Sequence, residues 1–323
     1  MSVSATGLAA YRTGAGSRRQ LAWFDRTAKA LGTLGAPDDN DLRTPTISPD
    51  GRVAVARSVQ GNQDIWLLDG TRTSRFTFDA ARERNPIWSP DGSQIVFDSD
   101  RKGTRDIYQK SSSGAGAEDL LAESSQFKVA TDWSADGQFL LYMSADPQTD
   151  YDLWVLPLTG DRKPWVFLKT NFVEKGARFS PDGRWVAYMS NESGRSEIYI
   201  RPFAAPGGPG ATGKAAATSG QWQESTSGGI YPVWRHDGKE LYYLGPNGEM
   251  MAAPITTTGT AGTTLQPGTP VALFPTRIFG GGVDSAQNRQ YDVARDGRFL
   301  INTVLDEGSA PITLIQNWKP PAK

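Results

Sequence analysis

Short apolar runs alternate with polar, glycine-bearing breaks along the whole of this chain. Ile95-Val96-Phe97, Leu140-Leu141-Tyr142, Val186-Ala187-Tyr188, Leu241-Tyr242-Tyr243 and Phe299-Leu300-Ile301 are each continuously apolar. A strand with one wet face alternates instead, so these runs predict strands covered on both faces. Each is preceded by a compact turn: Ser48-Pro49-Asp50-Gly51, Ser89-Pro90-Asp91-Gly92, Ser134-Ala135-Asp136-Gly137, Ser180-Pro181-Asp182-Gly183, Arg235-His236-Asp237-Gly238 and Ala294-Arg295-Asp296-Gly297. Asp-Gly between β-rich runs marks a hairpin, because glycine accepts the positive φ and aspartate bonds its own backbone. A weaker copy, Ser4-Ala5-Thr6-Gly7, stands near the start.

The glycines of these turns are 44, 41, 45, 46, 55 and 59 residues apart. A period of about 40–45 residues, built from four strands, is the mark of a propeller blade. In the unit from Phe179 to Phe203, Trp185–Met189 and Glu197–Arg201 read as the second and third strands, separated by the polar loop Asn191–Ser196. The two long steps contain Gly/Pro-rich stretches, Ala204–Ala217 and Thr256–Gly268, expected to be flexible connections outside the core. Seven turn copies predict an all-β, seven-bladed propeller of four-stranded antiparallel blades, a single domain over 1–323. Its last blade would be three-stranded, leaving a free edge. A six-bladed ring is the alternative, and it would have to discard most of the first unit, including Gln20–Asp25. No stretch carries helical periodicity, and 35 glycines and 21 prolines punctuate the chain.

Composition narrows the function. A formal charge of −1, from 34 basic and 35 acidic residues, lacks the basic excess of a nucleic-acid binder. No apolar run approaches the roughly 18–20 residues of a membrane span. The chain begins inside a repeat and without a secretory leader, so it is expected to be a fragment of a longer protein. With no cysteine, disulfides and thiolate metal sites are excluded.

Candidate chemistry is thin. The single histidine, His236, occupies a turn, a poor place for a general base. There is no Gly-x-Ser-x-Gly elbow. Gly208–Lys214 matches part of a phosphate loop but lacks its Ser/Thr and its strand–helix context. Asp38-Asp39-Asn40-Asp41 lacks the spacing of a calcium loop and reads as solvated. Asp64, Asp106, Asp152, Glu197 and Glu249 recur at the start of third strands, which favours a structural role at blade corners. No catalytic residue, metal site or cofactor is assigned.

In a four-stranded meander the second-to-third loops and the blade-to-blade loops share one end. There the chain carries Arg82, Arg84, Asp100, Arg101, Arg105, Lys128, Lys175, Arg195 and Arg289, charges converging on the axis. Binding residues favour loops held by a rigid scaffold, so these are the candidate binding residues.

The run Trp88–Gly116, WSPDGSQIVFDSDRKGTRDIYQKSSSGAG, resembles the repeat of TolB-type, WD-like propellers. Gln20–Gly35, Asp64–Asp79, Asp152–Pro164 and Ala310–Trp318 resemble the propeller region of bacterial membrane serine/threonine kinases. That resemblance implies an extracytoplasmic (periplasmic) sensor domain with a protein or peptide partner. The chain lacks the kinase motifs, with neither a His-Arg-Asp loop nor Asp-Phe-Gly. A small-molecule- or metal-sensing propeller, and a metal-dependent propeller lyase or lactonase, are the competing readings.

Overall fold

The computed structural model describes residues 2–3, 9–11, 18–206, 220–258, 264–284, 288–305 and 313–315. Six antiparallel blades form a ring. Five follow in order along the chain. Blade 1 comprises Arg43–Ile47, Val53–Val59, Asn62–Asp69 and Arg72–Arg75. Blade 2 comprises Glu83–Trp88, Gln94–Lys102, Thr104–Ser111 and Asp119–Ala122. Blade 3 runs Lys128–Trp133, Phe139–Asp146, Asp150–Pro157 and Trp165–Leu168, and blade 4 Glu174–Phe179, Trp185–Ser190, Glu197–Pro202 and Trp222–Gln223. In blade 5, Ile230–Trp234, Glu240–Leu244 and Glu249–Thr258 are completed by Val271–Pro275.

Blade 6 corrects the sequence reading. Tyr291–Val293 and Phe299–Val304 supply its first and second strands, and Arg19–Phe24 and Ala30–Asp38 its third and fourth. The first and last units are therefore two halves of one blade, which is why seven units make six blades. Gln20–Asp25 is not discarded; it is the strand that closes the ring, pairing from Phe299↔Phe24 to Val304↔Arg19. The expected three-stranded last blade with a free edge is replaced by a complete four-stranded one. The sequence of unit seven suggests Ile312-Thr313-Leu314-Ile315 as its third strand; Thr313–Ile315 pairs instead with Ala9–Tyr11 in a small sheet that also holds Ser2–Val3. The turn at 4–7 lies outside the described residues, as do the phosphate-loop-like run 208–214 and most of the stretch 204–217. The second insert is also corrected. Thr264–Pro267 pairs with the far half of Glu249–Thr258, so it extends the blade as a hairpin, with Leu265 buried.

The repeated turn has one construction. Each glycine N–H donates to the carbonyl three residues back, for example Gly92 to Ser89 at 2.9 Å and Gly238 to Arg235 at 2.9 Å. Each of the six glycines has φ between 70° and 93°, the left-handed region that a side chain disfavours. The aspartate accepts from the serine hydroxyl at 2.6 Å in Ser134–Asp136 and from the backbone two residues on, Gln138 N, at 3.0 Å. All six turns sit at one end of the ring, around a shared depression.

Second strands are buried on both faces, as their continuous apolar sequence requires; Trp185–Ser190 and Glu240–Leu244 are buried throughout. Indoles stitch neighbouring blades, Trp88 Nε1 donating to the Thr46 carbonyl (3.1 Å) and Trp234 Nε1 to that of Arg178 (3.1 Å). Among the acids that open the third strands, Asp106, Asp152 and Glu197 hold the loops leading to the next blade, while Asp64 pairs with Arg75 of its own blade and Glu249 with its own turn at Asn247. Asp106 accepts from Lys128 Nζ at 2.9 Å, and Glu197 from Gly228 N at 2.9 Å. The loop Asp38–Asp41 is satisfied by arginines, Asp38 by Arg57 and Asp39 by Arg18.

One seam carries a carboxylate with no such partner. Glu224 is 4% exposed, and neither side-chain oxygen has a hydrogen bond among the described residues. Desolvation pushes its pKa to about 8, and burial first raises Glu83 and Glu174 to about 7. A carboxyl whose folded pKa exceeds its unfolded value stabilises fully below the unfolded pKa, and that stability is lost as pH rises through the folded one. These three groups therefore cost stability between about pH 4.5 and 8. Glu224→Gln is expected to raise stability at pH 8 by about 1–3 kcal/mol and to change it little at pH 5. Urea melts at the two pH values test this; a variant less stable at pH 8 would show that the ionised carboxylate is satisfied.

Candidate functional site

The innermost strand of each blade runs along the axis, and these strands contact one another around the ring back to Arg43–Ile47. Each of the inner strands of blades 1 to 5 slips register against its neighbour near its start: between Arg43 and Thr46, Arg84 and Ile87, Ala130 and Asp132, Lys175 and Arg178, and Ile230 and Val233. In four of these bulges one residue has a left-handed backbone: Thr44 (φ 46°), Asn85 (54°), Gly176 (62°) and Tyr231 (56°). Such a conformation costs a non-glycine residue about 1–3 kcal/mol and persists where the surrounding structure imposes it, commonly at binding sites. A β-branched or aromatic residue there is the most unusual case. At Gly176 an added Cβ would meet only ordinary contacts with Met189 and Pro232, so its backbone angle is what calls for glycine.

All four residues line an axial cavity of about 410 Å³ at the end carrying the second-to-third-strand loops. Its walls are apolar, with Pro86, Ile87, Val129, Met143 and Pro232, and its rim is cationic and aromatic. Lys175 Nζ lies 3.1 Å from Asp284 and 4.5 Å from the centre of the Tyr151 ring. Tyr231 donates its hydroxyl to Asp284 at 2.8 Å. The Arg105 guanidinium stacks 4.4 Å above Phe127.

Below these groups the channel is crossed by charges. Arg178 Nη1 donates to the Thr131 carbonyl (2.8 Å) and lies 3.4 Å from Asp132, while Nη2 is 3.7 Å from Asp292. Arg289 Nη1 donates to Asp292 at 2.6 Å. The other oxygens of the two acids accept backbone amides of the next blade, Asp132 from Phe179 N and Asp292 from Ile47 N, both at 2.8 Å. Burial raises the pKa of Asp132 against the opposing charge of Arg178, and burial lowers that of Arg289 against Asp292.

The structure divides the candidate residues. Arg105, Lys175 and Arg289 line the cavity. Arg82 and Arg84 line a smaller pocket that adjoins it, also reached by Arg105. Asp100 stands behind them, accepting from Arg82 N (3.0 Å) and from Arg84 (3.3 Å). Three others do not join this group. Arg101 is bound to Glu83 (2.8 Å) and Glu118 (2.6 Å) and stacks on Tyr108. Lys128 is buried on Asp106. Arg195 stands exposed beside Glu197, away from the cavity lining. Arg178, Asp132 and Asp292 were not among the candidates. Their signal lies in the repeat: two residues before the first residue of each turn stand Thr46, Ile87, Asp132, Arg178, Val233 and Asp292, one inner-strand position in all six blades. Among the described residues no three Asp, Glu, His or Cys side chains gather in a metal-binding group, and no helix is long and apolar enough to span a membrane.

Comparison with solved structures places this architecture among known propellers. The chain superposes on a TolB of Agrobacterium tumefaciens with TM-score 0.64 and 16% identity, covering 90% of this chain and 99% of that one. TolB of Acinetobacter baumannii gives 0.52 and 15%, over 90% and 65%. An oligogalacturonate lyase in complex with manganese gives 0.52 and 12%, over 89% and 98%. At these identities the likeness is one of fold. In sequence, a TolB homologue of Chlorobium luteolum is 30% identical over 100 residues, which span 30% of this chain and 22% of that relative. The profile of the PD40 family, the TolB beta propeller domain, matches residues 38–199. The chain belongs to the TolB beta propeller domain family.

Proposed function

We propose that this chain is a non-catalytic propeller that binds a protein or peptide segment at its axial cavity. The observation that carries this reading is the preformed mouth, where strained inner-strand bulges hold an apolar wall beneath an aromatic and cationic rim. Rigid presentation of such groups lowers the ordering cost of binding. The carboxylates of the cavity and its floor are already engaged: Asp284 by Lys175 and Tyr231, Asp132 and Asp292 by arginines and backbone amides. A general acid–base pair needs a carboxyl free to exchange its proton with substrate. The propeller would serve as the extracytoplasmic sensor domain of a membrane-anchored serine/threonine kinase, a role supported by the sequence resemblance of its third-strand segments.

Random peptides displayed on phage and selected on the 323-residue chain test the binding reading. Selected peptides are expected to bind the folded variants Tyr231→Ala and Lys175→Ser at least about tenfold more weakly. Peptides that bind both variants as well as the parent would place recognition elsewhere. Turnover of a lactone or a uronate oligosaccharide by the pure chain would replace this reading with an enzymatic one.

A further inference from the structure

Between blades 1 and 2 lies a second pocket, of about 300 Å³, which shares Thr44, Asn85, Arg105 and Asn288 with the axial cavity. Its walls hold four guanidinium groups, those of Arg43, Arg82, Arg84 and Arg105, against one carboxylate, Asp41. Asp41 is taken by Arg43, whose Nε donates to it at 2.7 Å. Arg84 Nε donates to Gln63 (2.8 Å) and Nη2 to Asp100 (3.3 Å), while Nη1, shielded from solvent, has no acceptor among the described residues. The nearest carboxylate oxygen to Arg105, on Asp98, is 3.8 Å away, and the other oxygen of Asp98 accepts from Asn85 at 2.6 Å. Arg82 is exposed and makes no ion pair among the described residues. Burial, and then the neighbouring charge of Arg105, lower the pKa of Arg84. Asp98 and Asp100 thus neutralise only part of the charge, in a chain whose overall balance is −1.

We propose that this pocket is an anion subsite, and that it receives the carboxylate side chain of an acidic peptide whose neighbouring residues lie in the axial cavity. The proposal rests on the peptide-binding reading above and gives its partner a chemistry. Guanidinium forks match a carboxylate in two parallel hydrogen bonds, and a partly buried site strengthens them. The pocket has room for one acidic side chain. The walls it adjoins, Ile87, Val129, Met143 and Pro232, offer apolar contacts to the residues on either side of that acid in the bound segment.

The peptides selected on the chain are the probe. They are expected to carry Asp or Glu at a fixed spacing from an apolar residue. Replacing that acid by its amide should weaken binding at least about tenfold, as should Arg84→Gln or Arg105→Gln. Arg82→Glu changes an exposed residue and keeps the test valid if the buried variants fold poorly; it should weaken binding by about fivefold or more, and raising the salt should shrink that difference. Peptides that contain no acid, bind these three variants unchanged and yet lose affinity for Tyr231→Ala would overturn the subsite and leave the peptide reading standing. Failure to select any peptide, together with no binding of hexaglutamate, would remove both. Inorganic phosphate displacing the selected peptides as well as hexaglutamate does would reassign the pocket to a free oxyanion and overturn the peptide carboxylate.

Discussion

A chain ending at Gln290 is expected to lose cooperative unfolding altogether. Residues 291–304 form the inner half of blade 6, and without them Arg19–Phe24 has no partner on that side and blades 5 and 1 face each other across a gap. Tyr291, Phe299, Leu300, Ile301 and Asn302 are all essentially buried. At about 1.5–3 kcal/mol for each large apolar side chain, their burial is comparable with the whole stability of a domain, about 5–15 kcal/mol. Specific bonds across both seams go with them. The Tyr291 hydroxyl donates to the Tyr231 carbonyl (2.7 Å), and Asn302 Nδ2 to that of Leu42 (2.7 Å). The phenol of Tyr242 also loses its edge-on packing with Phe299, whose ring centre is 4.9 Å from its own. Near-UV circular dichroism during a urea titration reads the result, since ten tryptophans report on tertiary packing. The same experiment separates six blades from seven. Had residues 291–315 been a terminal blade of their own, their loss would leave a sigmoidal transition with a smaller denaturant slope. A sigmoidal transition at the parent midpoint would contradict the closure described above. Leu300→Ala, a gentler probe of the same seam, is expected to cost about 2–5 kcal/mol.

What could be read in the sequence was local, and what could not was a matter of long-range pairing. Asp-Gly corners, the apolar second strands and the acids opening third strands each follow from a few adjacent residues, and all fall where expected. Closure pairs Leu21 with Asn302, and no local pattern announces that two incomplete units are complementary halves. A count of turns therefore exceeds the count of blades by one. The candidate site divided for a related reason. Alternation along a strand tells which residues share a face only while the register holds, and here it breaks at every bulge from blade 1 to blade 5. Arg101 lies within the irregular pairing between Ser99 and Lys102 and folds back onto Glu83 and Glu118 instead of facing the axis. Lys128 begins an inner strand just as Glu83 and Glu174 do, and at that position side chains enter the seam. The ring of Thr46, Ile87, Asp132, Arg178, Val233 and Asp292 was accessible by aligning the repeats on their turns, because in blades 1 to 5 these positions fall on the regular side of the bulge and the inner strand of blade 6 pairs without a register shift.

Arg178→Met is expected to be the most costly single change in that ring. The guanidinium lies against Asp132 and Asp292 at the floor of the axial cavity, so its removal leaves Asp132 held by backbone amides alone, with no ion pair among the described residues. Breaking a fully buried ion pair costs about 3–5 kcal/mol. The side chains of Arg178 and Asp132 keep 15% and 17% of their exposure, which places the expected loss at about 2–4 kcal/mol at pH 7. The sign of its pH dependence follows from Asp132. Burial already raises that carboxyl, and Arg178 is the strongest influence holding it down. Without Arg178 its folded pKa climbs further above the unfolded value, so the folded variant takes up a proton more readily than the unfolded chain. The deficit of the variant should therefore shrink as pH falls from 8 towards 5. Asp132→Asn in the same background should restore more than half of the loss, with a coupling of about 1–3 kcal/mol in the double-mutant cycle. Urea melts of the parent, the two single variants and the double variant at pH 5 and pH 8 supply the whole cycle. A loss below about 0.5 kcal/mol for Arg178→Met, or a deficit that widens on acidification, would mean that channel water solvates Asp132 and that these charges do not brace the ring.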